Sequence, residues 1–123
     1  MNDWKELIEM FQSEQKTYSG VIYCLEWLIK EGLDSKLQNM LSHGRLFISF
    51  RDQLLAGTHR SVSIWPCSDV WMDIGFEERW HIGEEENMRR EQVKCRFENA
   101  APHFKHFISR LVADNKAMHA TSA

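Results

Sequence analysis

The 123-residue chain predicts an α+β domain, with N-terminal helices and a C-terminal helix packed on one face of a small antiparallel sheet of three to four strands. Three observations predict it. Apolar residues recur every three or four positions between residues 3 and 32, and again between Phe104 and Val112. Between these stretches, Val62 and Ile64, then Val70, Met72, Ile74 and Phe76, alternate with polar neighbours as half-buried strands do. The tetrapeptide Pro66-Cys67-Ser68-Asp69 separates the two alternating runs, and its proline removes a ladder donor where a turn is needed.

The N-terminal stripe runs through Trp4, Leu7, Ile8, Phe11, Tyr18, Val21, Ile22, Leu25, Leu28 and Ile29. Asn2 or Asp3 caps its start, and Glu6 stands three residues beyond Asp3 as in a loose capping box. The pattern weakens at Glu14 and Gln15, so two nearly continuous helices are expected, the second stopped by Gly32. A short helix from Asp34 or Ser35 to Ser42 follows, burying Leu37, Met40 and Leu41 and ending at Gly44. Residues 45–57 fit either period, because Leu46, Ile48 and Phe50 alternate while Leu46, Phe47, Phe50 and Leu54 also fall on one helical face. A strand over 45–50 is the preferred reading.

Residues 61–65 and 70 onward then form a hairpin, and residues 92–98 add a strand with Val93, Cys95 and Phe97 on one side. Acidic residues open and basic residues close the connection at 83–92. That order suits a solvated helical turn, with Glu85–Arg89 and Glu86–Arg90 as i, i+4 pairs, or a mobile hairpin tip. Pro102 opens the last helix. Residues 1–116 make a single domain and residues 117–123 a frayed tail.

Composition narrows the class of protein. A hydrophobic fraction of 43% and a charged fraction of 27% are ordinary for a folded domain. The formal net charge is -3 and neither half is basic, which disfavours a nucleic-acid-binding arm. Three scattered cysteines, Cys24, Cys67 and Cys95, and an N-terminus without the marks of a signal peptide lead us to expect a reduced, cytoplasmic setting. The longest apolar run, Val21–Ile29, is broken by Glu26, so no membrane association is expected.

Chemistry finds little purchase in this sequence. His103 and His106 share a helical face, but a zinc site needs three or four convergent ligands, and His81, Cys95 and Glu98 are remote in sequence. No strand-turn-helix elbow, carboxylate pair or phosphate loop stands out, so neither a cofactor, nor a metal, nor a catalytic residue is assigned. Cys67, in its turn, is the cysteine expected to react.

The outward face of the sheet is the candidate working surface. If Val70, Met72, Ile74 and Phe76 face the helices, alternation turns Trp71, Asp73, Glu77 and Arg79 away, while Trp65 joins them from the preceding strand and Lys94 and Arg96 from the next. Trp80 shares the inward parity and becomes the core tryptophan if the strand runs unbroken, although its length argues for a break between Gly75 and Glu78. Exposed tryptophans rimmed by charge resemble the centre of a protein-binding surface. The same residues also suit cross-strand packing within the chain.

The leading expectation is a non-enzymatic protein-binding module of inhibitor, immunity or adaptor type. It docks a protein partner, or itself as a homodimer, through Trp65, Trp71, Asp73, Glu77, Arg79, Lys94 and Arg96. A single-stranded nucleic-acid binder using these aromatics with Lys94, Arg96, Arg89 and Arg90 is the second class. A small metal-dependent enzyme built on His81, His103 and His106 is the third.

Overall fold

In the computed structural model, residues 3–12, 17–51, 58–68 and 70–122 are described, with side chains as far as residue 113 apart from those of Thr17 and Thr58. Helix α1 spans Trp4–Gln12 and α2 Thr17–Lys30. Asp3 caps α1, its carboxylate accepting the main-chain N–H of Lys5 at 2.9 Å and of Glu6 at 3.3 Å. One face of α1 buries Trp4, Leu7, Ile8 and Phe11, the face that the spacing predicts. Gly32 closes α2 at a φ of 73°, a left-handed conformation that glycine adopts without strain.

A 3-10 turn at Leu33–Ser35 leads into five strands: β1 Leu37–Ser42, β2 Arg45–Phe50, β3 Thr58–Pro66, β4 Trp71–Ile82 and β5 Glu85–Arg96. They pair antiparallel in sequence order, a meander with β1 and β5 at its edges. A second 3-10 turn, Phe97–Asn99, starts α3 at Ala100–Ser122. No helix is long and apolar enough to cross a membrane among the described residues.

Among the described residues the sheet therefore has five strands where three to four are expected: one correction adds a strand and a second lengthens one. Residues 37–42 form β1, not a helix: Leu37 and Asn39 turn inward and are buried while Met40 turns outward and is exposed. The glycine read as a helix stop belongs instead to a two-residue hairpin turn, His43-Gly44, with φ values of 53° and 78°. That pair of positive φ angles matches the twist of the flanking strands. The charge run at 85–92 is likewise strand, with Glu77 opposite Arg90 and Glu78 opposite Arg89 across the β4–β5 ladder, so the i, i+4 helical pairs do not form. Ion pairing across strands has replaced pairing along a helix.

The expected break in β4 is absent: all twelve residues from Trp71 to Ile82 pair with β5. Its inward side is nonetheless divided. Met72, Ile74 and Phe76 are fully buried, whereas Glu78 pairs with Arg60 at 2.6 Å, Trp80 is only partly buried and Ile82 is exposed. Trp80 is therefore not the core tryptophan; Trp4 is.

Inward side chains from all five strands meet α1, α2 and α3 in one core. Phe76 stacks on Phe107 with ring centroids 6.1 Å apart, and Trp27 meets Phe104 edge-on at the same separation. Cys24 and Cys95 lie in this core as free thiols. Residues 52–57, the second half of the ambiguous 45–57 segment, lie outside the described residues, as do the side chains of the tail expected from 117.

Candidate functional site

Alternation along each strand defines the opposite, outward face. β2 contributes Arg45, Phe47 and Ser49, β3 His59, Ser61, Ser63 and Trp65, β4 Trp71, Asp73, Gly75, Glu77, Arg79 and His81, and β5 Met88, Arg90, Gln92, Lys94 and Arg96. Small side chains pave its middle. Ser49, Ser61 and Gly75 are buried beside Ser63, and a Cβ built on Gly75 would fall 2.9 Å from the Ser63 hydroxyl. Larger residues stand at either end of this floor.

At one end Trp65 and Trp71 remain 36% and 43% exposed. Trp65 lies opposite Asp73, Asp73 opposite Lys94, and Trp71 opposite Arg96. The two indoles do not stack on each other; the Arg45 guanidinium lies over the Trp65 ring instead, 4.8 Å from its centroid. Beside it a cavity of about 300 Å³ opens between Ser42, His43, Arg45, Phe47 and Trp65. Arg96 is held by Glu98 at 3.0 Å, while Lys94 has no carboxylate within ion-pair distance among the described residues.

Asp73 is tied to the turn below it, where the Cys67 thiol donates to its carboxylate at 3.0 Å. Desolvation, then the hydrogen bond and negative charge of Asp73, push the Cys67 thiol up to about 11. At neutral pH the sulfur is a protonated donor, which slows its attack as a nucleophile, while Cys67 remains the one cysteine of the three that is not buried. The turn itself is closed by main-chain bonds from Cys67 and Ser68 to the Trp71 carbonyl, at 2.8 and 3.3 Å.

Glu77 and Arg79 share the face but not the cluster. Glu77 stands four positions beyond Asp73, roughly 13 Å along a strand. Glu77 instead receives Arg90 at 2.9 Å and pairs with Arg79, which reaches Glu86 at 3.6 Å. Burial raises the Glu77 carboxyl, but hydrogen bonds from Arg90 and Arg79 outweigh it and hold the group below the usual carboxylate range. The seven predicted residues thus divide into Trp65, Trp71, Asp73, Lys94 and Arg96 at one end and an ion-pair network around Glu77 at the other.

Arg45 and Phe47 are the functional candidates that reading the sequence missed. Their signal was the alternation of residues 45–50, which turns Arg45 and Phe47 to the side opposite Leu46 and Ile48 and, given a meander, beside Trp65 and Ser63. Among the described residues no group of three or more His, Cys, Asp or Glu side chains converges as a metal site. Comparison with protein-family models, curated proteins and solved structures finds no match to this chain.

Proposed function

We propose that this protein is a binding module that docks a protein partner on its outward sheet face, with Trp65 and Trp71 as anchors. The observation that carries the reading is the exposure of both indoles on a face whose opposite side holds all three helices. A large aromatic side chain left in water beside Lys94, which has no ion-pair partner among the described residues, offers apolar area and charge together, the composition found at the centre and rim of protein interfaces. Arg45 and Phe47 extend this anchor region, and the neighbouring cavity offers space for one partner side chain.

Affinity capture from host lysate, with Trp65→Ala and Trp71→Ala proteins as controls, tests the reading. Both variants are expected to keep their circular dichroism spectrum and to lose the captured protein, by at least tenfold if either indole is a hot spot of about 2 kcal/mol. Equal capture by wild type and both variants, or unfolding of both, overturns it.

One observation favours a second reading, a single-stranded nucleic acid as the ligand. Outward strand positions carry five basic side chains, Arg45, Arg79, Arg90, Lys94 and Arg96, against three acidic ones, Asp73, Glu77 and Glu86, in a chain of net charge -3. Fluorescence anisotropy with mixed-sequence oligonucleotides at low salt tests it, since phosphate contacts weaken steeply as salt rises. Absence of binding removes this alternative.

A further inference from the structure

β5 is a long strand with one open side. It spans twelve residues, about 40 Å of backbone, and ends the strand order. Gly83 and Glu84 form the turn before it, with Gly83 at a φ of 64° and Ile82 opposite Glu85. A two-residue turn of this kind makes its flanking residues exchange both main-chain bonds. Odd-numbered residues of β5 therefore bond to β4, and Glu86, Met88, Arg90, Gln92, Lys94 and Arg96 turn their N–H and C=O groups to the open edge. α3 reaches β5 from the inward face, through the Arg110–Glu91 ion pair, and among the described residues no strand pairs with β5 on its other side.

The charge order along this edge is directional. Glu84, Glu85 and Glu86 stand at its start, Lys94 and Arg96 at its end. A parallel copy in register would set each charge on its like, whereas an antiparallel copy sets acids against bases. We propose that the occupant of the edge is a second copy of this chain, its β5 running antiparallel about a two-fold axis at Arg90. In that register Glu86 faces Lys94, Arg89 faces Glu91 and Glu84 faces Arg96, each pairing occurring twice. All residues with edge-directed main-chain groups meet one another, as the ladder requires. Arg90 meets its equivalent on the axis, and each guanidinium is already paired with the Glu77 of its own chain at 2.9 Å. Met88, 54% exposed in the monomer, is covered against Gln92. The product is one ten-stranded sheet with both tryptophan faces on the same side. An edge strand this long is a template for strand addition; Lys94 and Arg96 belong both to this edge and to the tryptophan cluster, so the variants at Glu86 and Gln92, outside that cluster, are the ones that separate the two occupants.

Sedimentation equilibrium from micromolar to submillimolar protein tests the proposal, with the mass expected to rise from 14.6 kDa toward twice that value. Glu86→Lys and Lys94→Glu each set like charges opposite and are expected to weaken dimerisation at least tenfold, while the double swap restores it. Gln92→Pro, which removes an edge donor without touching the β4 ladder, abolishes the dimer with an unchanged circular dichroism spectrum. Hydrogen exchange supplies a readout on unmodified protein: the amides of Met88, Arg90 and Gln92 slow as concentration rises. A chain that stays monomeric at every concentration overturns the proposal. So does a dimer indifferent to the swaps, and one that dissolves on Trp65→Ala instead assigns self-association to the sheet face.

Discussion

Replacing Phe76 by alanine probes where the helices stop covering the sheet. The Phe76 side chain is 1% exposed, stacks on Phe107 at 6.1 Å and lies under the Arg110 guanidinium at 4.6 Å. Burying a phenylalanine removes roughly 150 Å² of apolar surface from water, worth about 4 kcal/mol at ~25 cal/mol per Å². Truncations of buried phenylalanine cost about 3–5 kcal/mol, in agreement. With a urea slope near 2 kcal/mol/M, as is ordinary for small domains, Phe76→Ala should lower the unfolding midpoint by about 2 M. Trp80 supplies the comparison, because it shares the strand and the parity but is only partly buried and stands outside the core. Trp80→Ala should lower the midpoint by less than half as much. Equal shifts, or a larger one for Trp80, would show that the buried face extends along the whole of β4 and would refute the division at Phe76.

Two further outcomes follow from the electrostatics. The folded Glu77 carboxyl lies below its unfolded value, so its ion pairs stabilise the fold above that value and the benefit disappears as pH falls through the folded one; Glu77→Gln should cost about 1 kcal/mol at pH 7, where both arginines remain partly solvated. Thermal melts should then show the two proteins converging as pH falls below the ordinary carboxylate range, and a constant gap across the acid range would sink the assignment. Asp73→Asn removes the charge that helps keep Cys67 protonated, so its thiol should react several-fold faster with a disulfide reagent at pH 8, each unit of lowered pKa giving about tenfold more thiolate. An unchanged rate would mean that desolvation alone governs Cys67.

Much of the architecture was legible where one period dominated. The Trp4, Leu7, Ile8, Phe11 stripe with Asp3 ahead of it, and the Pro66 turn between two alternating runs, each admit one reading. Leu37–Ser42 did not, since six residues with three apolar side chains fit helix and strand alike. The first half of β5 carries no apolar alternation at all; its strand character comes from pairing with β4, a tertiary effect that local pattern does not encode. Parity correctly turned Trp65 and Trp71 outward. It failed for Trp80 because alternation reports which face a residue is on, and not whether a helix reaches that far.

The meander has a consequence for how the chain is made. Each strand pairs with the one just before it, so the sheet can assemble hairpin by hairpin as the chain lengthens. Its lid cannot. Phe104, Phe107, Ile108 and Leu111 of α3 complete the core from the C-terminal end, so Val62, Ile64, Met72 and Ile74 stay incompletely covered until α3 has emerged from the ribosome. A chain stopped short of α3 would hold paired strands with a wet apolar face, the kind of transiently exposed surface that invites aggregation.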